Sequence, residues 1–195
     1  MKKACQKECI VQKKKVFCFK YNPKNTEDMA LSSGISAAVK RLKVYNEDYR
    51  SKRREIHIFW KEQLKSLGKK YKNPQNLKTF ENDVVELQKR MNRRYKTEFT
   101  HSGISSGLAG FRIAQAQKSL SVYLKHLWCM GKIVTPPVCP IDFKVLTVIG
   151  KTGLDARWGY INTMEEYVNR LDWIEAYVKN NKPDFTIAEW ELLVF

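Results

Sequence analysis

From Ser33 onward the apolar residues of this chain recur at steps of three and four, not two. Ile35, Ala38, Val39, Leu42, Tyr45, Tyr49, Ile56, Phe59, Leu64 and Leu67 form a first run, with a gap near Arg53 and a stop at Gly68. That period gathers them on one side of a long helix, or of two helices joined near Ser51. Leu77, Phe80, Val84, Leu87, Met91 and Tyr95 make a second stripe over 77–96. Leu108, Phe111, Ala114, Leu120, Tyr123, Leu124, Leu127 and Trp128 make a third and more apolar one, with Ser105 or Ser106 as its cap and Gly131 as its end.

The segment Thr135-Pro136-Pro137-Val138-Cys139-Pro140 interrupts this pattern, because proline lacks the amide donor and fixes φ. Asp142 then reads as the N-cap of a helix over Phe143 to Ile149. Two capping boxes, Thr163-x-x-Glu166 and Thr186-x-x-Glu189, open two more helices. No alternation is long enough for a sheet. The expected fold is all-α: a single irregular helical domain over 26–195, preceded by a basic N-terminal extension over 1–25. Within the extension, Val16-Phe17-Cys18-Phe19 is a short strand or a core contact, and Asn22-Pro23 a turn.

Charge bears on function. The chain carries 36 Lys and Arg against 20 Asp and Glu, a net +16. Residues 1–98 hold 26 basic and 11 acidic side chains, whereas residues 99–195 hold 10 and 9. A basic half beside a nearly neutral one attracts a polyanion, and nucleic acid, DNA rather than RNA, is the expected partner. The candidate phosphate contacts are Lys40, Arg41, Lys43, Arg50, Lys52, Arg53, Arg54, Lys61 and Lys65 on the first helical run. Arg90, Arg93 and Arg94 join them at the end of the second, where they also complement the helix dipole.

No membrane partner is expected, since no apolar run reaches the ~18–20 residues of a spanning helix. The basic N-terminus lacks the apolar core of a signal peptide, so the expected location is cytoplasmic. Cys5, Cys9, Cys18, Cys129 and Cys139 are an odd set without repeated spacing, as in a reducing compartment. They include no second ligand pair at metal-site spacing, so neither metal nor cofactor is expected.

The segment with the most chemical content is Gln115-Ala116-Gln117-Lys118-Ser119-Leu120-Ser121-Val122-Tyr123, followed after the prolines by Cys139-Pro140-Ile141-Asp142-Phe143-Lys144-Val145-Leu146. A lysine early in an apolar helix, then Pro-Ile-Asp opening the next, resembles the catalytic segment of the helix-hairpin-helix DNA glycosylases, most of all the archaeal oxoguanine branch. The resemblance spans residues 115–150. It implies Lys118 as a nucleophile toward the sugar of a flipped nucleotide and Asp142 as the assisting carboxylate. The flipped base would need stacking partners, for which Trp128, Phe143 and Trp158 are the candidates. Three functions are therefore open: a nucleic-acid-binding protein acting through phosphate contacts, a base-excision glycosylase, and a module docking a protein through the apolar C-terminal helices that carry Trp173, Trp190, Leu192, Leu193 and Phe195.

Overall fold

A computed structural model of the protein describes residues 2–40, 44–46, 51–99 and 110–195. Among these residues the architecture is all-α, as the periodicity predicts. Its eight α-helices are α1 Lys2–Tyr21, α2 Glu27–Val39, α3 Arg53–Gly68, α4 Leu77–Tyr95, α5 Ile113–Cys129, α6 Phe143–Val148, α7 Met164–Asn181 and α8 Ile187–Val194. Among the described residues the only β-type pairing is an isolated bridge between Tyr45 and Phe99. No helix among the described residues is long and apolar enough to cross a membrane.

The helix α5 is the axis of the domain. Every one of its residues except Val122 is buried, and α1, α2, α3, α4 and α7 all pack on it. The closest approach is to α2. A Cβ placed on Gly34 would lie 2.6 Å from the carbonyl oxygen of Ser119, so only glycine lets the two backbones meet there. Trp60 of α3 donates from Nε1 to Ser119 Oγ at 3.1 Å, fixing a third helix to the same turn. Leu124 is fully buried in this core, and Leu124→Ala should lower unfolding stability by about 2–5 kcal/mol in urea titrations.

Several element boundaries differ from the sequence reading. Residues 2–21, read as a basic extension, form α1, which packs on α5 and α8 and buries Ile10 and Phe17; the 16–19 run is helical and makes a core contact. The first helical run is two helices. Its first starts at Glu27, not Ser33, because Thr26 Oγ1 caps it by accepting from Met29 N at 3.3 Å. The helix of the third stripe, α5, starts at Ile113 with Arg112 as N-cap. Ser105, Ser106 and Leu108 lie outside the described residues. The α5 entry is set instead by Asn92, which accepts from Phe111 N at 2.6 Å and donates to Phe111 O at 2.8 Å. Gly110, at φ 113°, makes the turn that this clamp requires. The expected caps Asp142, Thr163 and Thr186 all serve as N-caps, each accepting from the amide three residues on.

Candidate functional site

A cleft of about 480 Å³ opens along one side of α5. Lys118, Val122, Lys125 and His126 form its floor. These positions are four, three and one residues apart, so they share one face of the helix over two turns. Val122, the one residue of α5 that is not buried, lies in the middle of this floor. Ser32, Ser33 and Ser36 of α2, with Lys40 just past its end, form one wall. Phe17 and Tyr21 of α1 and Glu191 and Phe195 at α8 contribute the other sides, with Pro140 and Asp142 at one end.

Lys118 and Asp142, two residues singled out by the sequence, meet here. Lys118 Nζ donates to Asp142 Oδ2 at 3.0 Å, and both side chains are largely buried. Asp142 Oδ1 accepts from Val145 N at 2.9 Å. One carboxylate therefore caps α6 with one oxygen and holds the lysine with the other. The Trp158 ring lies 5.5 Å from the same ammonium. A donor bond from Gln117 Nε2 to Ile141 O, at 3.5 Å, ties α5 to the segment that delivers Asp142.

A second ion pair occupies the other end of the floor. Lys125 Nζ lies 2.7–2.8 Å from both oxygens of Glu191, with the two residues only 4% and 1% exposed. The ammonium is also 4.0 Å from the Phe195 ring centroid and 4.7 Å from that of Phe17. Burial pushes the Glu191 carboxyl above the usual range, and the Lys125 ammonium pulls it part of the way back. Sequence reasoning missed this pair. Its signal was a lysine seven residues after Lys118, on the same helix face of an otherwise apolar helix.

His126 completes the floor. It is 2% exposed, its ring packs edge-on against Phe17 at 4.8 Å, and its Nδ1 has no hydrogen-bond partner among the described residues. Burial, and secondarily Lys125, depress its pKa to about 4. Unfolded histidine titrates near 6.5. Between these values the unfolded chain takes up a proton that the folded protein refuses. The stabilisation is thus complete above pH ~6.5 and is lost as pH falls toward 4, by up to about 1.4 kcal/mol per unit. Urea unfolding at pH 7 and pH 5 should show this slope in the wild type, and His126→Gln should flatten it.

The other predicted cations among the described residues fall at several places along α2, α3 and α4. Lys40 lies on the cleft, where it has no carboxylate partner among the described residues. Arg54 and Lys61, with His57, line a neighbouring groove that shares Ser32 and Ser36 with the cleft. Lys61 Nζ is held by Asp28 at 2.7 Å. Lys52 pairs with Glu98 at 3.0 Å, and the Arg53 guanidinium stacks 4.9 Å from the Tyr45 ring. Arg90, Arg93 and Arg94 surround Phe59 and Gln63 in another concavity, with Arg90 on Glu86 and Arg94 on Glu55. Lys65 borders a fourth one. Arg41, Lys43 and Arg50 lie outside the described residues.

Of the proposed stacking residues, only Trp158 is beside Lys118. Trp128 is buried under Lys14, and Phe143 is exposed on α6 outside the cleft lining. The aromatic rings on the cleft are Phe17, Tyr21, His126 and Phe195. In the C-terminal helices Trp190 and Leu192 are turned into the core. The described residues contain no cluster of three or more His, Cys, Asp or Glu able to hold a metal. Comparison of the chain with known protein families, curated proteins and solved structures finds no match.

Proposed function

We propose that this protein binds nucleic acid, DNA rather than RNA, and takes one everted nucleotide into the α5 cleft, where Lys118 excises its base. The observation that carries this reading is the largely buried Lys118–Asp142 pair on the floor of a nucleotide-sized cleft. A lysine becomes a nucleophile only once its ammonium gives up a proton, and a carboxylate at 3.0 Å is placed to take it. The Lys118 nitrogen then bonds to the sugar C1′ as the C1′–base bond breaks. The base leaves with the electron pair and recovers the proton from Asp142. The Lys118 nitrogen, now a secondary ammonium, gives one proton by way of Asp142 to O4′; the C1′–O4′ bond breaks to leave an open-chain alcohol, and the nitrogen lone pair closes a protonated imine to C1′.

The surroundings suit such a guest. Phe17, Tyr21 and Phe195 offer rings to a base removed from its stack. Lys40 on the cleft and Arg54 and Lys61 in the adjoining groove offer cations to the phosphates on either side. The N-terminal excess of positive charge supplies the long-range attraction.

The test is borohydride reduction during incubation with duplexes carrying a panel of damaged bases. Hydride reduces the imine to a stable amine, so a covalent protein–DNA adduct is expected. If every duplex binds and none gives an adduct or a strand break, the protein is a phosphate-directed binder without this chemistry.

A further inference from the structure

On a different face of α5 from the cleft lies a concavity of about 400 Å³, lined by Lys65 and Lys69, by Lys72, and by Lys132 from the turn after α5. Tyr123 and Leu127 of α5 contribute to its lining, whereas the cleft takes Lys118, Val122, Lys125 and His126. Positions 123 and 127 point well away from 118 and 125 around a helix of 3.6 residues per turn.

The charge of this concavity is one-sided. None of its four lysines has a carboxylate partner among the described residues. Its one acidic group, Glu27, accepts from Tyr123 Oη at 2.7 Å. The wall is built for close fit: a Cβ on Gly68 would lie 2.6 Å from the Tyr123 ring, so glycine lets this ring sit against α3. Folding thus brings four lysine side chains from two separate parts of the chain to line one hollow that holds a single carboxylate, against the mutual repulsion of their charges. A bound anion of several charges removes that repulsion. The four lysines line a hollow, which fits a compact ligand better than a straight phosphodiester strand.

We infer that this concavity is a binding site for a compact oligophosphate, such as the di- or triphosphate portion of a small molecule. The site lies apart from the base-excision cleft and shares none of its lining residues. Isothermal titration with inorganic tripolyphosphate, pyrophosphate and orthophosphate at low ionic strength tests it. Tripolyphosphate should bind one to one and most tightly, and raise the melting temperature. Lys69→Ala with Lys132→Ala should weaken this binding about tenfold or more. Lys179→Ala with Lys182→Ala removes the same charge from the end of α7 and should leave affinity within about twofold, because screening isolates distant surface charges.

Absence of saturable tripolyphosphate binding overturns the inference. So does equal weakening by both double variants, which would mark a response to net charge alone. Loss of duplex DNA affinity in Lys69→Ala with Lys132→Ala, without tripolyphosphate binding in the wild type, assigns the lysines to the nucleic-acid surface and also overturns it. Borohydride trapping reads the cleft and is expected to be unchanged by either double variant.

Discussion

Lys118→Gln should abolish borohydride trapping and base release while leaving duplex affinity nearly intact. The expected loss is total because glutamine has no amine to form the imine. Affinity survives because one of 36 basic residues is removed, and this one already faces Asp142 rather than solvent. Asp142→Asn is the informative companion. Asparagine caps a helix about as well as aspartate, so α6 and the fold should persist. The amide cannot take the Lys118 proton, so single-turnover excision should slow by about 10²-fold or more. Retained trapping by Lys118→Gln would move the nucleophile elsewhere and remove the basis of the enzymatic proposal.

The other large effect is on stability and concerns Lys125 and Glu191. Glu191→Ala leaves the Lys125 ammonium buried against two aromatic rings with no counter-ion. The variant should lose about 3–5 kcal/mol of unfolding free energy in urea titrations. Lys125→Met combined with Glu191→Leu fills the same space without charge, and should recover most of that loss. If the single and double variants are equally unstable, the deficit comes from packing and not from an unpaired charge. The double variant also isolates the cleft chemistry. It keeps Lys118 and Asp142 in place while removing the charge at the far end of the floor.

The helical class was legible because three apolar stripes at helical spacing have no competing alternation. Asp142, Thr163 and Thr186 were legible as caps because side-chain capping is a local interaction, complete within four residues. Thr26-Glu27-Asp28 carried the same local signal for the start of α2, a cap followed by acids in the first turn, yet the apolar pattern drew attention to Ser33 instead. The start of α5 was illegible for a different reason. It depends on Asn92, nineteen residues away, gripping both polar groups of the Phe111 backbone.

The same division runs through the site. Lys118 and Asp142 stood out because residues 115–150 resemble the catalytic segment of the helix-hairpin-helix DNA glycosylases, a resemblance that implies those two residues. Phe17, Tyr21, Glu191 and Phe195 come from the two ends of the chain, and only the packing of α1 and α8 on α5 brings them to the cleft.

Gly34 governs how this cleft can breathe. Its contact with the Ser119 carbonyl joins the serine-lined wall to the floor by direct backbone apposition, and Trp60 bolts the same turn from behind. Wall and floor are thereby packed together as one block. Widening of the entrance falls to the opposite side, where Tyr21 and Phe195 meet edge to ring at 5.9 Å without a hydrogen bond between them. On the proposed reading, an entering base would have to part that aromatic pair, which rotation about side-chain χ angles alone could do.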